Sequence, residues 1–160
     1  MASETVMYMS LLLIGMLAFG FFSYSFGNYS GWADEQTAES NLNDIMSKVS
    51  LRIEGLFNKA NELKGSGSAG STIALNASMD VPVTLNGESY RIYFVVDGQN
   101  NVYLTGRISL QNLVTTSINL GMSNSSVTFH GSFSSSGGSS PRLLYVYNVN
   151  LGMETISLTN

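Results

Sequence analysis

The chain has 160 residues, a formal net charge of −4 and only 11% charged side chains. Its seven Lys and Arg residues are scattered singly from Lys48 to Arg142, so the basic patch that a nucleic-acid interface needs is not predicted. The absence of cysteine excludes a disulfide framework and thiolate metal sites.

The chain opens with an apolar run, Val6–Phe26, that has Glu4 in front of it and no further charged residue before Asp34. A secretory signal peptide has a basic start, a shorter apolar stretch and a small-residue cleavage site. Here the start is acidic, the run is longer and no Ala-x-Ala site closes it. Because about 20 apolar residues span a bilayer as a helix, the run predicts a membrane-competent helix rather than a signal peptide.

The helical pattern continues beyond the apolar run, but with one apolar face only. Apolar residues recur at three- and four-residue intervals as far as Leu63, and charged residues occupy the opposite face. Lys64 followed by Gly65 is typical of a helix end. The pattern therefore predicts one helix with an apolar half, residues 1–30, and an amphipathic half, residues 31–64, that packs on the remainder of the chain.

Two glycines lie near the boundary between these halves. Gly27 and Gly31 have the G-x-x-x-G spacing that lets two helix backbones approach closely. Glycine also costs about 1 kcal/mol in a helix relative to alanine, so the same pair is compatible with an interruption of the helix. The sequence leaves both interpretations open.

After the helix the character of the chain changes. Residues 65–71, GSGSAGS, predict a short flexible joint. In residues 72–160, apolar residues alternate between turn signals, which predicts about seven or eight short strands. The predicted fold class is therefore α+β, a long N-terminal helix followed by an antiparallel β-sandwich head.

The strand boundaries follow from the turn signals. Asn86–Gly87 and Asp97–Gly98 predict hairpin turns. Residues 131–140, GSFSSSGGSS, predict an exposed polar loop. The predicted strands are Ile73–Met79, Val81–Leu85, Tyr90–Val96, Val102–Leu110, Leu113–Leu120, Val127–Phe133, Leu143–Leu151 and Thr155–Leu158.

No catalytic or cofactor motif is present in the sequence. His130 is the single histidine and lies in a strand-like run, so a role as general base or metal ligand is not predicted. Asp97–Asn101 lacks the later acidic ligands of a calcium loop. There is no phosphate loop, nucleophile elbow or dinucleotide fingerprint. We therefore expect a protein that is not an enzyme and binds neither cofactor nor metal.

Three N-x-S/T sequons begin at Asn28, Asn76 and Asn124. Asn28 lies near the expected membrane boundary of the helix, so we do not expect it to be modified. Asn76 and Asn124 fall at strand edges or turns of the predicted head and are candidate N-glycosylation sites of an exported protein.

The order of these parts resembles the type IV pilin superfamily. The low-charge head, rich in Ser, Thr and Asn, resembles archaeal pilins and archaellins more than bacterial pilins. At the level of residues, the resemblance rests on the run Val6–Phe26 and the acidic residue before it. It implies a structural subunit that is inserted in the cytoplasmic membrane and then polymerises into an extracellular helical filament of identical copies, with the helices inside and the heads outside.

The resemblance also implies which residues act in assembly. Glu4 is the candidate partner of the Met1 amine of a neighbouring copy, because an unpaired carboxylate in an apolar core is costly. The other candidates are side chains of the apolar run and the two glycines. The assembly residues are therefore Met1, Glu4, Leu12, Phe19, Phe22, Gly27 and Gly31.

Several uses of such a subunit stay open, a minor pilin that caps a filament or a secretion pseudopilus among them. The first is a filament for adhesion to surfaces or to other cells, which the run rich in Met and Phe favours over an archaellin. The second is an archaellum filament for motility. The third is a membrane-anchored β-sandwich protein of the pilin-like class, acting in binding or as a stator. The apolar face that continues to Leu63 favours a filament, because a simple anchor does not need a rigid extension.

Overall fold

The computed structural model describes residues 2–66, 72–110, 112–138 and 140–160. It contains two compact units, Met1–Gln36 and Thr37–Asn160, and the second is called the head unit below. One helix is followed by seven strands, so the predicted α+β layout is confirmed. The elements are α1 (Ala2–Gly65), β1 (Thr72–Ser78), β2 (Tyr90–Val96), β3 (Asn101–Ser109), β4 (Leu113–Ser123), β5 (Thr128–Ser134), β6 (Arg142–Asn148) and β7 (Met153–Thr159).

Helix α1 is continuous from Ala2 to Gly65, as the periodicity predicts. Gly27 and Gly31 both lie inside it, so an interruption at these glycines is wrong. Lys64 in the last turn complements the negative end of the helix dipole. Of the predicted joint, Gly65 ends the helix, and residues 67–71 lie outside the described residues.

The seven strands form one sheet in the order β1-β6-β7-β5-β2-β3-β4. All neighbouring pairs are antiparallel except β5 and β7, which are parallel. Strand β5 pairs with β7 and with β2, so the strands form one continuous sheet and not the two separate sheets of the predicted sandwich. The sequence could not distinguish these arrangements, because strands alternate in the same way in both.

The two predicted hairpin turns are present. Asn86 and Gly87 both have positive φ, 51° and 83°, as a two-residue hairpin turn requires. Leu85 and Glu88 exchange two backbone hydrogen bonds of 2.9 Å around them. The predicted strand Val81–Leu85 is wrong, however, since only an isolated bridge from Leu85 to Glu88 forms.

The second turn is held by the Asp97 carboxylate. It accepts hydrogen bonds of 2.8 Å from the backbone N–H groups of Gln99 and Asn101 and from the Asn101 side-chain amide. These bonds, the Asn101 amide foremost, lower the pKa of Asp97. The carboxylate therefore serves the turn, as the sequence predicts.

The exposed loop predicted at residues 131–140 is wrong in its first half. Strand β5 continues to Ser134, and Ser135 begins a single 3-10 turn, where it is 2% exposed. The Ser135 hydroxyl accepts the Tyr90 N–H at 2.9 Å. Gly131 permits this course, because its φ is 95° and a Cβ there would collide with the Leu158 carbonyl oxygen.

The amphipathic half of α1 covers one face of the sheet. Its buried residues, which we call the apolar stripe, belong to the same hydrophobic cluster as Ile92, Leu104 and Tyr145 of the sheet. Burial of each large side chain contributes about 1.5–3 kcal/mol, so this contact dominates the stability of the head unit. The apolar stripe consists of Ala38, Leu42, Ile45, Met46, Val49, Ile53, Leu56 and Ala60.

The helix packs closely against the sheet at Gly106 in β3. A Cβ on Gly106 would collide with the Met46 sulfur and stand 3.0 Å from Leu42 Cγ. The glycine therefore sets how deeply α1 sits on the sheet.

Lys64 fixes the end of α1 to strands β6 and β7. Its Nζ lies 2.5 Å from Glu154 Oε1 and 4.6 Å from the centre of the Tyr147 ring. The second Glu154 oxygen accepts the Tyr145 hydroxyl at 3.0 Å. Burial lowers the pKa of Lys64, but its hydrogen bonds to Glu154 and Tyr145 outweigh this effect, so the pKa is raised.

We predict that Gly106→Ala lowers the free energy of unfolding by about 1–3 kcal/mol, because the added methyl group forces apart a closely packed contact. The control is Gly55→Ala, since Gly55 lies in α1 with open space around it. Alanine there should stabilise by about 1 kcal/mol. Urea unfolding of the full chain in detergent measures both, and equal effects of the two variants would contradict the prediction.

We also predict that stability falls between pH 10 and pH 12. Tyr90 is 2% exposed and donates its hydroxyl to the Pro82 carbonyl at 2.6 Å, and burial raises its pKa from 10.0 to about 12. The unfolded chain then loses this proton at lower pH than the folded chain, so the stabilisation is full below pH 10 and is lost as the pH rises through 12. Urea midpoints across this range should fall less steeply for Tyr90→Phe. Identical slopes for the two proteins would refute this origin.

Candidate assembly surface of the N-terminal helix

The candidate site lies on the first part of α1, which we call the apolar segment, residues 5–33. No charged residue occurs in it. Every large apolar side chain from Val6 to Trp32 is between 52% and 75% exposed. These side chains are Val6, Met7, Tyr8, Met9, Leu11, Leu12, Leu13, Ile14, Met16, Leu17, Phe19, Phe21, Phe22, Tyr24, Phe26, Tyr29 and Trp32.

This exposed apolar surface surrounds the helix completely. Successive helix residues are turned by about 100°, so a run such as Leu11–Ile14 points in every direction. An 18-residue window of α1 has a mean hydropathy of 2.0 and no buried residue, which makes the helix long and apolar enough to cross a membrane. Such a surface is stable only when lipid or protein covers it.

Three predicted assembly residues are among these exposed side chains. Leu12, Phe19 and Phe22 are 57%, 74% and 68% exposed. The Phe22 ring stacks on Phe26 with centroids 6.2 Å apart, four residues along the same face. All three side chains are therefore available to a partner.

Glu4 lies exposed in the first turn of α1. Its negative charge there complements the positive end of the helix dipole, which is a sufficient structural reason for an acid at this position. Within the described part of the chain Glu4 forms no ion pair. Met1, the other half of the proposed pair, lies outside the described residues.

The two glycines share one face of α1 with a third glycine. Gly27 and Gly31 are four residues apart, and Gly20 precedes Gly27 by seven residues, which also returns to the same side of a helix. A Cβ at Gly20 or Gly27 would meet nothing within 4 Å, so no contact with the described residues explains the missing side chains. The G-x-x-x-G pattern alone missed Gly20, and the seven-residue spacing could have found it.

The candidate glycosylation sites lie in the head unit. Asn76 is exposed on β1, at one edge of the sheet. Asn124 is half-buried, and its side-chain oxygen accepts the Phe129 N–H at 3.1 Å. Neither position lies in a cluster of side chains that could catalyse a reaction. In the described ranges no three His, Asp or Glu side chains lie close enough together to bind a metal ion.

Comparison of the chain with family models, with curated proteins and with solved structures finds no match. The resemblance to type IV pilins therefore stays a prediction.

We predict that Phe19→Asp weakens membrane insertion by about 3–4 kcal/mol, the cost of replacing an apolar residue by a carboxylate near the middle of a spanning helix. The fraction that resists carbonate extraction from membranes measures this. Leu151→Asp is the matched control, because Leu151 is 68% exposed but lies in the head unit. Equal resistance of Phe19→Asp and the wild type would show that the apolar segment does not enter the bilayer.

Proposed function

We propose that this protein is the structural subunit of an extracellular pilus-like filament that serves in surface adhesion. It is held in the cytoplasmic membrane by its apolar segment and then polymerises through the same segment. The observation that carries the proposal is that the apolar side chains of this segment are exposed on every side of the helix.

The apolar segment suits both environments. A lipid tail and a neighbouring apolar helix are equally dry, so a helix that is apolar all round can move from one to the other without exposing charge. Each large side chain that identical copies bury contributes about 1.5–3 kcal/mol, which is enough to hold a polymer without covalent links.

The head unit supports the proposal because the apolar face of its helix is already covered within the same chain. The apolar stripe of α1 is buried against the sheet of the same chain. The apolar segment is therefore the large apolar surface that other molecules must cover. A low content of charge, 11% of residues, also lets heads lie side by side with little repulsion.

A membrane-anchored binding protein is the second candidate, and the length and hydropathy of the helix favour it equally. The two candidates differ in what finally surrounds the apolar segment, which is lipid in the anchor and other copies in the filament. Electron microscopy of material sheared from the cell surface separates them. Fibres that contain this chain support the filament, and its complete retention in the membrane supports the anchor.

Replacement of Glu4 by Ala tests the assembly role of the single charge that precedes the apolar segment. If Glu4 pairs with the Met1 amine of a neighbour in an apolar core, the variant leaves that amine unpaired and the filament yield should fall about tenfold or more. Glu54→Ala, at an exposed glutamate of the same helix, should leave the yield unchanged. A wild-type yield from Glu4→Ala would show that the pairing does not occur.

A further inference from the structure

A groove in the head unit runs between one flank of α1 and the free edge of β1. Two adjoining cavities of about 420 and 170 Å³ form it. Its helix wall carries Lys48, Arg52, Gly55 and Lys59, and its strand wall is residues 76–78. Because β1 ends the sheet, no strand of the described chain covers this side.

The strand wall offers backbone groups to a partner. Met79 donates its N–H to the Pro141 carbonyl at 3.0 Å, on the side of β6. Neighbouring residues of a strand direct their N–H and C=O groups to opposite sides, so those of Asn76 and Ser78 face the groove.

The helix wall is a line of cations. Lys48, Arg52 and Lys59 are spaced by four and seven residues and so lie on one face of α1. All three are exposed, and none forms a hydrogen bond or ion pair with the described residues. They are three of the seven Lys and Arg residues of the chain. Among the described residues that line the groove, Asp80 is the single acid, so the groove is positively charged.

Gly55 lies in the middle of this line. A Cβ there would meet nothing within 4 Å, so the packing of the head unit does not require a glycine. A glycine inside a helix costs about 1 kcal/mol relative to alanine. Its effect is to bare the helix backbone between Arg52 and Lys59, so that a partner can approach closely.

We propose that the groove receives the acidic segment of α1, residues 34–44, of a second copy of this chain. This inference rests on the proposed filament. The segment carries Asp34, Glu35, Glu39 and Asp44 and no Lys or Arg. Each chain has a net charge of −4, and matching the positive groove with a negative segment offsets the repulsion that remains between copies.

The positions of the two surfaces fix the geometry of the contact. The centres of the acidic segment and of the cation line are about 14 residues apart on one helix, so parallel copies are displaced by about 21 Å along the axis. The groove and the acidic segment are different surfaces. The contact is therefore head-to-tail and generates an open polymer rather than a closed dimer.

Disulfide crosslinking between Asn41→Cys and Gly55→Cys in one double variant tests this displacement. The wild-type chain contains no cysteine, so there is no background. Within one chain the two positions are about 21 Å apart, beyond the ~7 Å that a disulfide bridges, and any bond must join two copies. Mild oxidation of filaments should give a ladder of covalent oligomers.

The matched control pairs Asn41→Cys with Glu54→Cys. Glu54 is exposed and adjacent to Gly55 but is turned by about 100° away from the groove. The substitution removes none of the three cations of the groove, so a weaker ladder in the control cannot arise from lost electrostatic attraction. We expect at least about tenfold less crosslinking than in the Gly55 pair.

Charge reversal tests the electrostatic part. R52E/K59E should lower the filament yield about tenfold or more, because close charge pairs at interfaces are strongly coupled. Addition of D34K/D44K in the same chain reverses the two acids that share a helix face with Asn41, and it should restore the yield. R91E/R107E makes the same change of charge at exposed, paired positions of β2 and β3, outside the residues that line the groove, and should assemble normally.

The outcomes separate the inference from the proposed function. Filaments that form normally from R52E/K59E, with equal ladders from both cysteine pairs, would overturn the groove contact and leave the filament standing. A glycan found on Asn76 by mass spectrometry of filaments would fill the larger cavity and overturn it as well. If the wild-type chain makes no filaments, both the function and the contact fall.

Discussion

The head unit depends on how closely the amphipathic half of α1 lies on the sheet. One face of a seven-stranded sheet must be covered by another layer, and here the apolar stripe of a single helix is that layer. Gly106 sets the distance, since Leu42 and Met46 rest where its side chain would be. Lys64 then holds the end of the helix through Glu154. The helix is therefore a layer of the core and not a stalk attached to a finished domain.

The features that the sequence predicts correctly are those that depend on residues close together in the chain. The apolar stripe repeats at helical intervals, Lys64 and Gly65 mark the helix end, and Asn86–Gly87 has the backbone preference of a hairpin turn. The structure shows each of them. Their physical causes act over a few residues, which is why a single sequence is sufficient.

The features that the sequence missed depend on residues far apart in the chain. The parallel pairing of β5 with β7 joins residues 128–131 to 155–158 and has no local signature. Ser135 lies in a serine-rich run that predicts an exposed loop, but its hydroxyl accepts a hydrogen bond from the buried backbone N–H of Tyr90. The groove is not predicted from the sequence for the same reason, since its two walls are far apart in the chain. The helical spacing of the three cations predicts a solvent-exposed face, and only the structure shows that β1 lies beside Lys48, Arg52 and Lys59.

The position of β7 has a consequence for how the protein is made. The last strand in chain order is central in the sheet, and without it β1 and β6 are separated from the other four strands. During synthesis the apolar stripe of α1 emerges early, but the sheet that buries it cannot close until β7 has been translated. Such long-range closure is slow and leaves apolar surface exposed. Biogenesis of this chain must therefore shelter two apolar surfaces, the apolar segment until it meets lipid and the apolar stripe until the final strand arrives.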